Sequence, residues 1–153
     1  MVGAEKSLAV KTTMQQAIEA LTISTRGQGL IEFTPQVREF VTRSGIHLGL
    51  LTVYVRHTSC SLLIQENADP DVRTDLDGFF GRLVPEGMDW VRHRSEGPDD
   101  MPAHIKAALT QTSIAIPVSQ GQPVLGTWQG IYLFEHRSHA HQRQVVLHAI
   151  GES

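Results

Sequence analysis

The sequence predicts an α+β protein with a mixed, mostly antiparallel sheet and about three helices. Apolar residues recur at helical spacing in three separate segments, whereas other segments are apolar and β-branched in the manner of strands. The two kinds of segment do not alternate regularly, as the strands and helices of a parallel α/β fold would. The 153 residues, 41% of them apolar and 19% charged, suit one domain with its own core.

Composition also limits the partners and the compartment. The formal net charge of −3 lacks the basic excess of a nucleic-acid-binding protein, and no apolar run reaches membrane-spanning length. The single cysteine, Cys60, excludes an intrachain disulfide, and the first residues lack the apolar core of a signal peptide. We therefore expect a cytoplasmic protein without nucleic-acid or membrane partners. Residues 1–13 predict a mobile N-terminal segment, and residues 14–153 a single domain.

The first third of the chain predicts a strand, a helix and a buried strand. Residues 14–25 fit either a helix or a strand, and the β-branched residues near their end favour the strand. Thr34 and Pro35 predict the N-cap and first residue of a helix that ends at Gly45. The segment LGLLTVYV, residues 48–55, is apolar on both faces, which is typical of a central strand.

The middle of the chain predicts an extended segment over residues 61–65 and two helices. Asp69 and Pro70 open a helix whose apolar face is formed by Val72, Leu76, Phe79, Phe80 and Leu83. Residues 85–98 predict a loop, and a third helix starts near Met101. His104 lies on the apolar side of that helix, so its imidazole is expected to face the protein.

The last third predicts the remaining strands of the sheet. Residues 113–118 have strand composition and are followed by a turn. Residues 132–136 and 145–150 predict the closing strands, paired antiparallel and joined through residues 137–142.

The segment HRSEGPDDMPAH, residues 93–104, points to metal chemistry. We hypothesise that His57, His93 and His104 converge on one divalent ion, because neutral imidazole is the commonest protein metal ligand. Three protein ligands with one open position are typical of catalytic zinc. The alternative is that these are ordinary polar residues on a loop and a helix, since no short motif such as HExxH is present.

Carboxylates near these histidines have competing interpretations. Glu66 and Asp75 could act as general bases or orient a ligating imidazole, or they could be solvated surface groups. One of Asp99 and Asp100 is expected to cap the third helix, and the other could reach a metal or a substrate amine. Glu96 is expected to be exposed.

The segment EHRSHAHQR, residues 135–143, contains further candidates. His139 and His141 would share a face in a strand and form a second metal clip, although a turn also collects polar residues. Arg137 and Arg143 could bind a phosphate through two hydrogen bonds each, or lie on the surface unpaired. Cys60 is predicted to be a small apolar residue of a strand instead of a nucleophile.

Four stretches of the chain resemble the YjbQ-like family, also called the secondary thiamine-phosphate synthase family. They are HTSCSLLIQENADPDVRTD (57–75), HRSEGPDDMPAHIK (93–106), SIAIPVSQGQPVLGTWQGIYLFEH (113–136) and QRQVVLHAIGE (142–152). The spacing S-x-x-I-x-V-x-x-G-x-x-x-x-G-T-W-Q-x-I within the third stretch is specific. The likeness covers about residues 14–152.

The resemblance implies a homotrimer with a pocket of histidines and acidic residues near subunit contacts. It also implies a bound divalent metal, zinc or else magnesium, and a small phosphorylated substrate. The residues that fall on the recurrent family positions are His57, His93 and His104 as metal ligands, Glu66, Asp75 and Glu135 as catalytic groups, and Asn67, Gln129 and Arg143 as substrate and phosphate ligands. An exposed apolar set around Trp90, Trp128 and Tyr132 is the expected subunit contact.

The activity implied is the joining of hydroxymethylpyrimidine diphosphate to thiazole phosphate with release of pyrophosphate. The chain departs from the family pattern at Ser59–Cys60 and at residues 136–139, and the second departure ranks Arg143 above Arg137 as the phosphate ligand. Two alternatives stay open. One is a trimer that binds a metal or small ligand without catalysis, and the other is a metal-dependent hydrolase in which Glu66 or Asp75 activates water.

Overall fold

The computed structural model describes residues 12–153, and within them it contains eight strands and three helices in two antiparallel sheets. The elements in chain order are β1 (Met14–Ser24), β2 (Gly29–Glu32), α1 (Thr34–Ser44), β3 (Leu48–Val55), β4 (Cys60–Glu66), α2 (Pro70–Leu83), α3 (Asp100–Leu109), β5 (Ser113–Ser119), β6 (Gln122–Pro123), β7 (Gln129–Glu135) and β8 (Gln142–Glu152). The predicted mobile segment 1–13 lies outside the described residues, apart from its last two. None of the helices between residues 12 and 153 has the length and hydropathy needed to cross a bilayer.

The α+β class, the three helices and the antiparallel pairing are confirmed, but the strands form two sheets. The larger has the order β1-β8-β3-β5-β6, with β3 at its centre as its apolar sequence predicts, and the smaller has the order β2-β7-β4. The predicted pairing of the last two strands is wrong. Strand β8 pairs with β1 and β3, whereas β7 pairs with β2 and β4. Alternation alone identifies a strand but does not specify its neighbours.

The core lies between the two sheets and α1. Strands of the larger sheet alternate, with inward residues such as Leu51 and Leu147 buried and their neighbours exposed or half-buried. These inward residues pack with Phe40 of α1 and Leu133 of β7 in one apolar cluster. Each such large side chain contributes about 1.5–3 kcal/mol by leaving water. Burial of the apolar inner faces of the two sheets and of α1 therefore holds these elements together.

Two glycines let β3 and β8 approach closely. Gly49 and Gly151 are opposite each other in the register, and a Cβ on either would collide with the backbone of the other strand. Any side chain there would push the strands apart, because the obstacle is backbone and cannot rotate away.

The helix ends agree in part with the sequence. Asp69 caps α2 as predicted, since its Oδ1 accepts from the Asp71 N–H at 2.9 Å, and α1 ends on Gly45 with φ 71°. Thr34, however, is not an N-cap. The capping position is Phe33, and the Thr34 hydroxyl instead donates to Glu32 and accepts from the Ile131 N–H. The Thr34 hydroxyl links α1 to β7 through this hydrogen bond, so it does not cap the helix.

The apolar surface also differs from expectation. Trp90 and Trp128 are exposed, but Tyr132 is fully buried in the centre of the smaller sheet, so the predicted apolar set is wrong in that member. Helix α2 keeps its predicted stripe, yet none of its residues is fully buried: Phe80 packs edge-on against Phe134, whereas Phe79 is 58% exposed.

Candidate metal centre

Four side chains converge where the loop after α2 meets α3. One ligand atom each from His93, Glu96, Asp100 and His104 lies within 4.8 Å of the other three. Within residues 12–153 no other group of three or more histidine, cysteine or acidic side chains meets this criterion. We call these four residues the His–carboxylate cluster.

Local structure explains the convergence. Asp100 is the first residue of α3 and His104 is four positions later, so both project from one face of the helix. Gly97, with φ 105°, gives the loop a turn that side-chain-bearing residues rarely adopt, between Glu96 and the helix start. The loop can therefore fold back and bring His93 against the same helix face, where its ring lies 5.5 Å from that of His104.

The centre of the cluster is one carboxylate oxygen. Asp100 Oδ2 lies 2.7 Å from His93 Nε2 and 3.2 Å from His104 Nε2. Glu96 Oε2 lies 3.7 Å from His93 Nε2. The Asp100 side chain is only 2% exposed, whereas that of Glu96 is 62% exposed. The cluster therefore has a buried anionic base and one side open to water.

The protonation of His104 determines what the cluster can hold. Its Nδ1 lies 2.9 Å from the Thr58 carbonyl oxygen, which can only accept, so Nδ1 must carry a proton. In a neutral ring Nε2 then presents a lone pair, and it faces Asp100 Oδ2, another acceptor. Two acceptors at this distance need a cation between them, either a second proton on His104 or a metal ion.

Arg137 fixes the carboxylate from the other side. Its Nη1 donates to Asp100 Oδ1 at 2.7 Å, its Nε to Asp99 Oδ2 at 2.9 Å, and its Nη2 to the Glu96 carbonyl oxygen at 2.9 Å. Burial alone would raise the pKa of Asp99, but the Ser138 N–H and the Arg137 guanidinium lower it to about 2. Burial likewise opposes ionisation of Asp100, and its contacts with His93 and Arg137 lower its pKa. Both carboxylates are thus held as anions.

The donor set fits a divalent ion with nitrogen and oxygen ligands. Two imidazole nitrogens and two carboxylates suit zinc, whereas magnesium prefers oxygen alone. The Nδ1–H of His104 is held by a backbone carbonyl, the outer contact that orients metal-binding histidines. The three carboxyl groups of Glu96, Asp99 and Asp100 lie around the one Arg137 guanidinium, so acidic groups outnumber basic groups within the cluster and its direct contacts.

His57 lies outside the cluster, so the structure does not bring the three predicted histidines together. Its Nε2 accepts from the Gln144 N–H at 2.8 Å at the start of β8. Burial and the nearby Arg143 guanidinium lower the pKa of His57. A ring with one nitrogen used by backbone and a guanidinium close by is a poor position for a cation. Asp100 and Glu96, and not His57, lie beside His93 and His104.

Glu135 and Arg143, predicted for catalysis and phosphate binding, form a buried pair. Arg143 donates from Nε to Glu135 Oε1 at 2.8 Å and from Nη2 to Oε2 at 2.5 Å, and Nη2 also donates to Ser59. Burial opposes ionisation of Glu135, but Arg143 and Thr25 lower its pKa. The two side chains are 0% and 4% exposed, so the pair joins the end of β7 to the start of β8 in the interior.

The remaining predicted residues lie elsewhere. Asn67 and Gln129 line one polar pocket, which shares no residue with the His–carboxylate cluster, and the Glu66 carboxylate accepts from the Asp69 N–H at 3.2 Å. Asp75 is exposed on α2, beside a shallow pocket of its own. Within one chain these four residues do not meet the two clustered histidines.

Sequence reasoning missed three features. Glu96 belongs to the cluster, and Arg137, not Arg143, is the arginine that donates a hydrogen bond to it. His136 is buried, with its Nδ1 unpartnered and its Nε2 2.9 Å from Ser61 Oγ. Burial and the charge of Lys106 lower the pKa of His136 to about 3. The i, i+4 spacing of Asp100 and His104 could have identified the carboxylate ligand. Burial raises the pKa of the Cys60 thiol to about 12, in keeping with its predicted inert role.

The chain is similar to one protein family along most of its length. Residues 19–152 match the family model described as "UPF0047 protein YjbQ-like". UPF0047 protein sll1880 of Synechocystis is 55% identical over 140 residues, which cover 92% of this chain and 95% of that protein. UPF0047 protein YjbQ of Escherichia coli O157:H7 is 40% identical over 135 residues, covering 88% of this chain and 97% of that protein.

Solved structures share the fold. A YbjQ-like protein of unknown function from Sulfolobus solfataricus superposes with a TM-score of 0.84 at 25% identity, over 92% of this chain and all of that one. An uncharacterized conserved protein of the YjbQ/UPF0047 family from Clostridium acetobutylicum has a TM-score of 0.77 at 34% identity, covering 84% of this chain and 97% of that one.

Proposed function

Because this chain belongs to the YjbQ-like UPF0047 family, we propose that it is a metal-dependent transferase whose divalent ion is bound by the His–carboxylate cluster. The observation that carries the proposal is the 3.2 Å approach of His104 Nε2 to Asp100 Oδ2, on a ring whose Nδ1 already faces the Thr58 carbonyl oxygen. Zinc is the proposed ion, because imidazole ligands favour it over magnesium.

The proposed reaction is thiamine-phosphate synthesis, which the family resemblance implies. The bond between the pyrimidine methylene carbon and the diphosphate oxygen breaks, and pyrophosphate leaves with the electron pair. The thiazole nitrogen then bonds to that carbon. A divalent ion, when bound, neutralises the charge that develops on the leaving diphosphate.

Residues of this chain support the departure of an anion at this place. Arg92 and Arg94 flank His93 in the loop and are exposed, so they add positive charge beside the cluster. The guanidinium of Arg94 is held by the carbonyl oxygens of Val91 and Asp89. A fixed cation loses less conformational entropy on contacting a phosphate than a free one.

Asn67 and Gln129 are proposed to contact a polar substrate in their own pocket. That pocket has a volume of about 390 Å³ and also contains Glu32 and Arg38. The Glu32 carboxylate accepts from Thr34 and from Asn67, so hydrogen-bonding groups already converge on it. An Asn67→Ala variant is expected to raise KM for one substrate while leaving zinc affinity unchanged.

The metal proposal is tested on protein stripped with a chelator and titrated with zinc at pH 8, where an ordinary histidine is neutral. Wild type is expected to bind one zinc per chain, and His104→Gln to bind at least tenfold more weakly. His47→Gln, at an exposed position outside the cluster, is the matched control. Absence of stoichiometric zinc binding would rule out the metal centre.

The reaction is tested separately, by measuring thiamine phosphate formed from the two substrates with and without zinc. Zinc-dependent turnover that is lost in His104→Gln supports the proposal. Stoichiometric zinc binding without turnover would remove the transferase and favour a binding protein.

A second candidate, metal-dependent hydrolysis, is favoured by the position of Glu96. Its carboxylate is 62% exposed yet belongs to the cluster, so it is placed to take a proton from a water molecule. Glu66 and Asp75, the bases expected from sequence, have no such position. A panel of phosphoesters and amides, assayed with wild type and Glu96→Gln, distinguishes hydrolysis from transfer.

We also propose that the chain forms a homotrimer through the outer face of the larger sheet. Ile18, Leu48, Leu50 and Tyr54 project from that face and are 43–71% exposed. The register places Leu50 beside Ile150, so β3 and β8 form a continuous apolar surface. Sedimentation equilibrium is expected to give three times the chain mass of 16.9 kDa, and a Leu50→Glu variant to dissociate. A single-chain mass at micromolar concentration would contradict the trimer.

A further inference from the structure

A small apolar cleft opens beside the His–carboxylate cluster. It lies between the loop after α2 and the first turn of α3, and has a volume of about 250 Å³. Its walls are mainly apolar and include Met88, Val91, Pro98, Met101 and Pro102. His93 lines the cleft and also contributes Nε2 to the cluster, so the two share a wall.

We propose that the cleft binds the ring of a small aromatic or heteroaromatic anion whose charged group is bound at the metal centre. This inference rests on the metal centre of the proposed function and adds to it the place where the ring of the bound molecule lies. The ring lies against the apolar walls, and the anionic group extends past His93 to the ion.

The size of the cleft sets the size of the ring. An apolar cavity of about 150 Å³ suffices for benzene. A cleft of about 250 Å³ therefore accepts one substituted six-membered ring, and has no room for a long acyl chain or a nucleotide.

The walls suit a flat apolar group. The Met88 and Met101 side chains are unbranched and polarisable, so they adapt to a ring and make favourable sulfur–aromatic contacts. Pro98 and Pro102 have a fixed φ and offer rigid apolar surfaces without a backbone donor. The walls therefore favour apolar contact over hydrogen bonding.

The charge at the rim suits an anion. Arg94 also lines the cleft, and its Nε and Nη2 are held by two carbonyl oxygens at 2.8 and 3.1 Å. No acidic residue lines the cleft. A molecule with an apolar ring and an anionic group thus meets apolar walls, a fixed guanidinium and the metal centre in sequence.

The experiment compares phenylphosphonate with methylphosphonate, which share the metal-binding group and differ in the ring. Binding to the zinc-loaded full-length protein is measured by calorimetry. Burial of the ring is expected to make phenylphosphonate bind about tenfold or more tightly than methylphosphonate. Equal affinities would overturn the proposal.

A Val91→Trp variant fills the cleft and is expected to reduce the affinity ratio to near one. Its zinc affinity and its affinity for methylphosphonate should be unchanged. Val124→Trp is the matched control, because Val124 is an exposed valine that does not line the cleft. A ratio unaffected by Val91→Trp would place the ring elsewhere and overturn the inference.

Methionine methyl groups report the binding place directly. The chain has four methionines, of which Met88 and Met101 line the cleft while Met14 is exposed on β1. In protein with ¹³C-labelled methionine methyls, phenylphosphonate is expected to shift the Met88 and Met101 signals and leave that of Met14 in place. Methylphosphonate should shift neither strongly.

The metal centre and the aromatic cleft can be contradicted independently. If zinc does not bind, the metal centre of the proposed function is wrong and the anchored aromatic anion with it. If zinc binds and the two phosphonates bind equally, the metal centre stands and only the aromatic cleft is wrong.

Discussion

Two arginine–carboxylate ion pairs near the end of β7 differ in how fully their hydrogen-bonding groups are satisfied. In the interior, Glu135 accepts from Thr25, from two nitrogens of Arg143, and from the backbone N–H groups of His136 and Arg137. At the edge, Arg137 pairs with only one oxygen of Asp100, and the other oxygen faces the two imidazoles of the cluster.

The difference distinguishes a pair that stabilises the fold from a pair that has groups free to bind a ligand. The interior pair is closed, because each carboxylate oxygen has donors and each used guanidinium nitrogen has an acceptor, so nothing there calls for a ligand. The edge pair is open, because Asp100 Oδ2 and the two imidazole Nε2 atoms lie together beside a surface that is exposed to water. His104 Nε2 and Asp100 Oδ2 are complementary only with a proton or a metal ion between them.

The largest expected effect breaks the closed pair. Glu135→Gln would leave the buried Arg143 charge without its counterion, which typically costs about 3–5 kcal/mol of unfolding free energy. Urea unfolding at a fixed protein concentration measures this loss, and zinc affinity at the remaining folded fraction should be unchanged. Glu39→Gln removes a carboxylate that is 70% exposed in its ion pair with Arg43, and should change stability by under about 1 kcal/mol. Similar losses in the two variants would contradict the distinction.

The next effect breaks the open pair. Asp100→Asn removes the anion on which the two imidazoles converge, so zinc affinity should fall by at least the factor of about 10–100 that supporting contacts carry. Asp89→Asn, in the loop before α3 but outside the cluster, is the control for calorimetric titration. Unchanged zinc affinity in Asp100→Asn would show that the cluster does not bind the ion.

Sequence predicted the elements better than their partners. Strand β3 and the capped helix α2 are confirmed because their determinants are local: a continuous apolar run, and Asp69 followed by Pro70. The assignment of β7 and β8 to different sheets depends on long-range packing, which alternation does not encode. Thr34 lost its predicted cap for the same reason, since the Ile131 N–H on β7 uses its hydroxyl.

In the candidate site, too, contacts between residues close in sequence were predicted, and contacts between distant residues were not. His93 and His104 meet because they are close in sequence and the intervening loop turns at Gly97. His57 is distant in sequence from both, and its ring accepts a hydrogen bond from the Gln144 N–H in the larger sheet. The sequence ranked Arg143 above Arg137 as a phosphate ligand, but the burial of Arg143, which pairs it with Glu135 in the interior, could not be predicted from side-chain chemistry that the two arginines share. Family resemblance identified polar positions, but not which of them meet within one chain.

Arg137 tests whether the open pair depends on its outer contacts. Arg137→Lys retains the charge but cannot donate at once to Asp99, Asp100 and the Glu96 carbonyl oxygen. Zinc affinity is expected to fall about 10- to 100-fold. Arg92→Lys, an exposed position in the neighbouring loop, serves as the control. If Arg137→Lys bound zinc like wild type, the guanidinium would have no role in positioning the carboxylate.

The smallest effect concerns the residue between the two pairs, His136. Its folded-state pKa of about 3 lies below the unfolded value near 6.5, so between these values only the unfolded chain takes up the proton. This contribution to stability is complete above pH 6.5 and is lost as the pH falls, by at most about 1.4 kcal/mol per pH unit. Unfolding measured from pH 7 to 5 should show this slope in wild type, and His136→Gln should flatten it. His47→Gln, at a position exposed to solvent in the folded state, should leave the slope in place. A slope that survives His136→Gln would assign the acid sensitivity to other groups, such as the half-buried His57, whose pKa burial and Arg143 also lower.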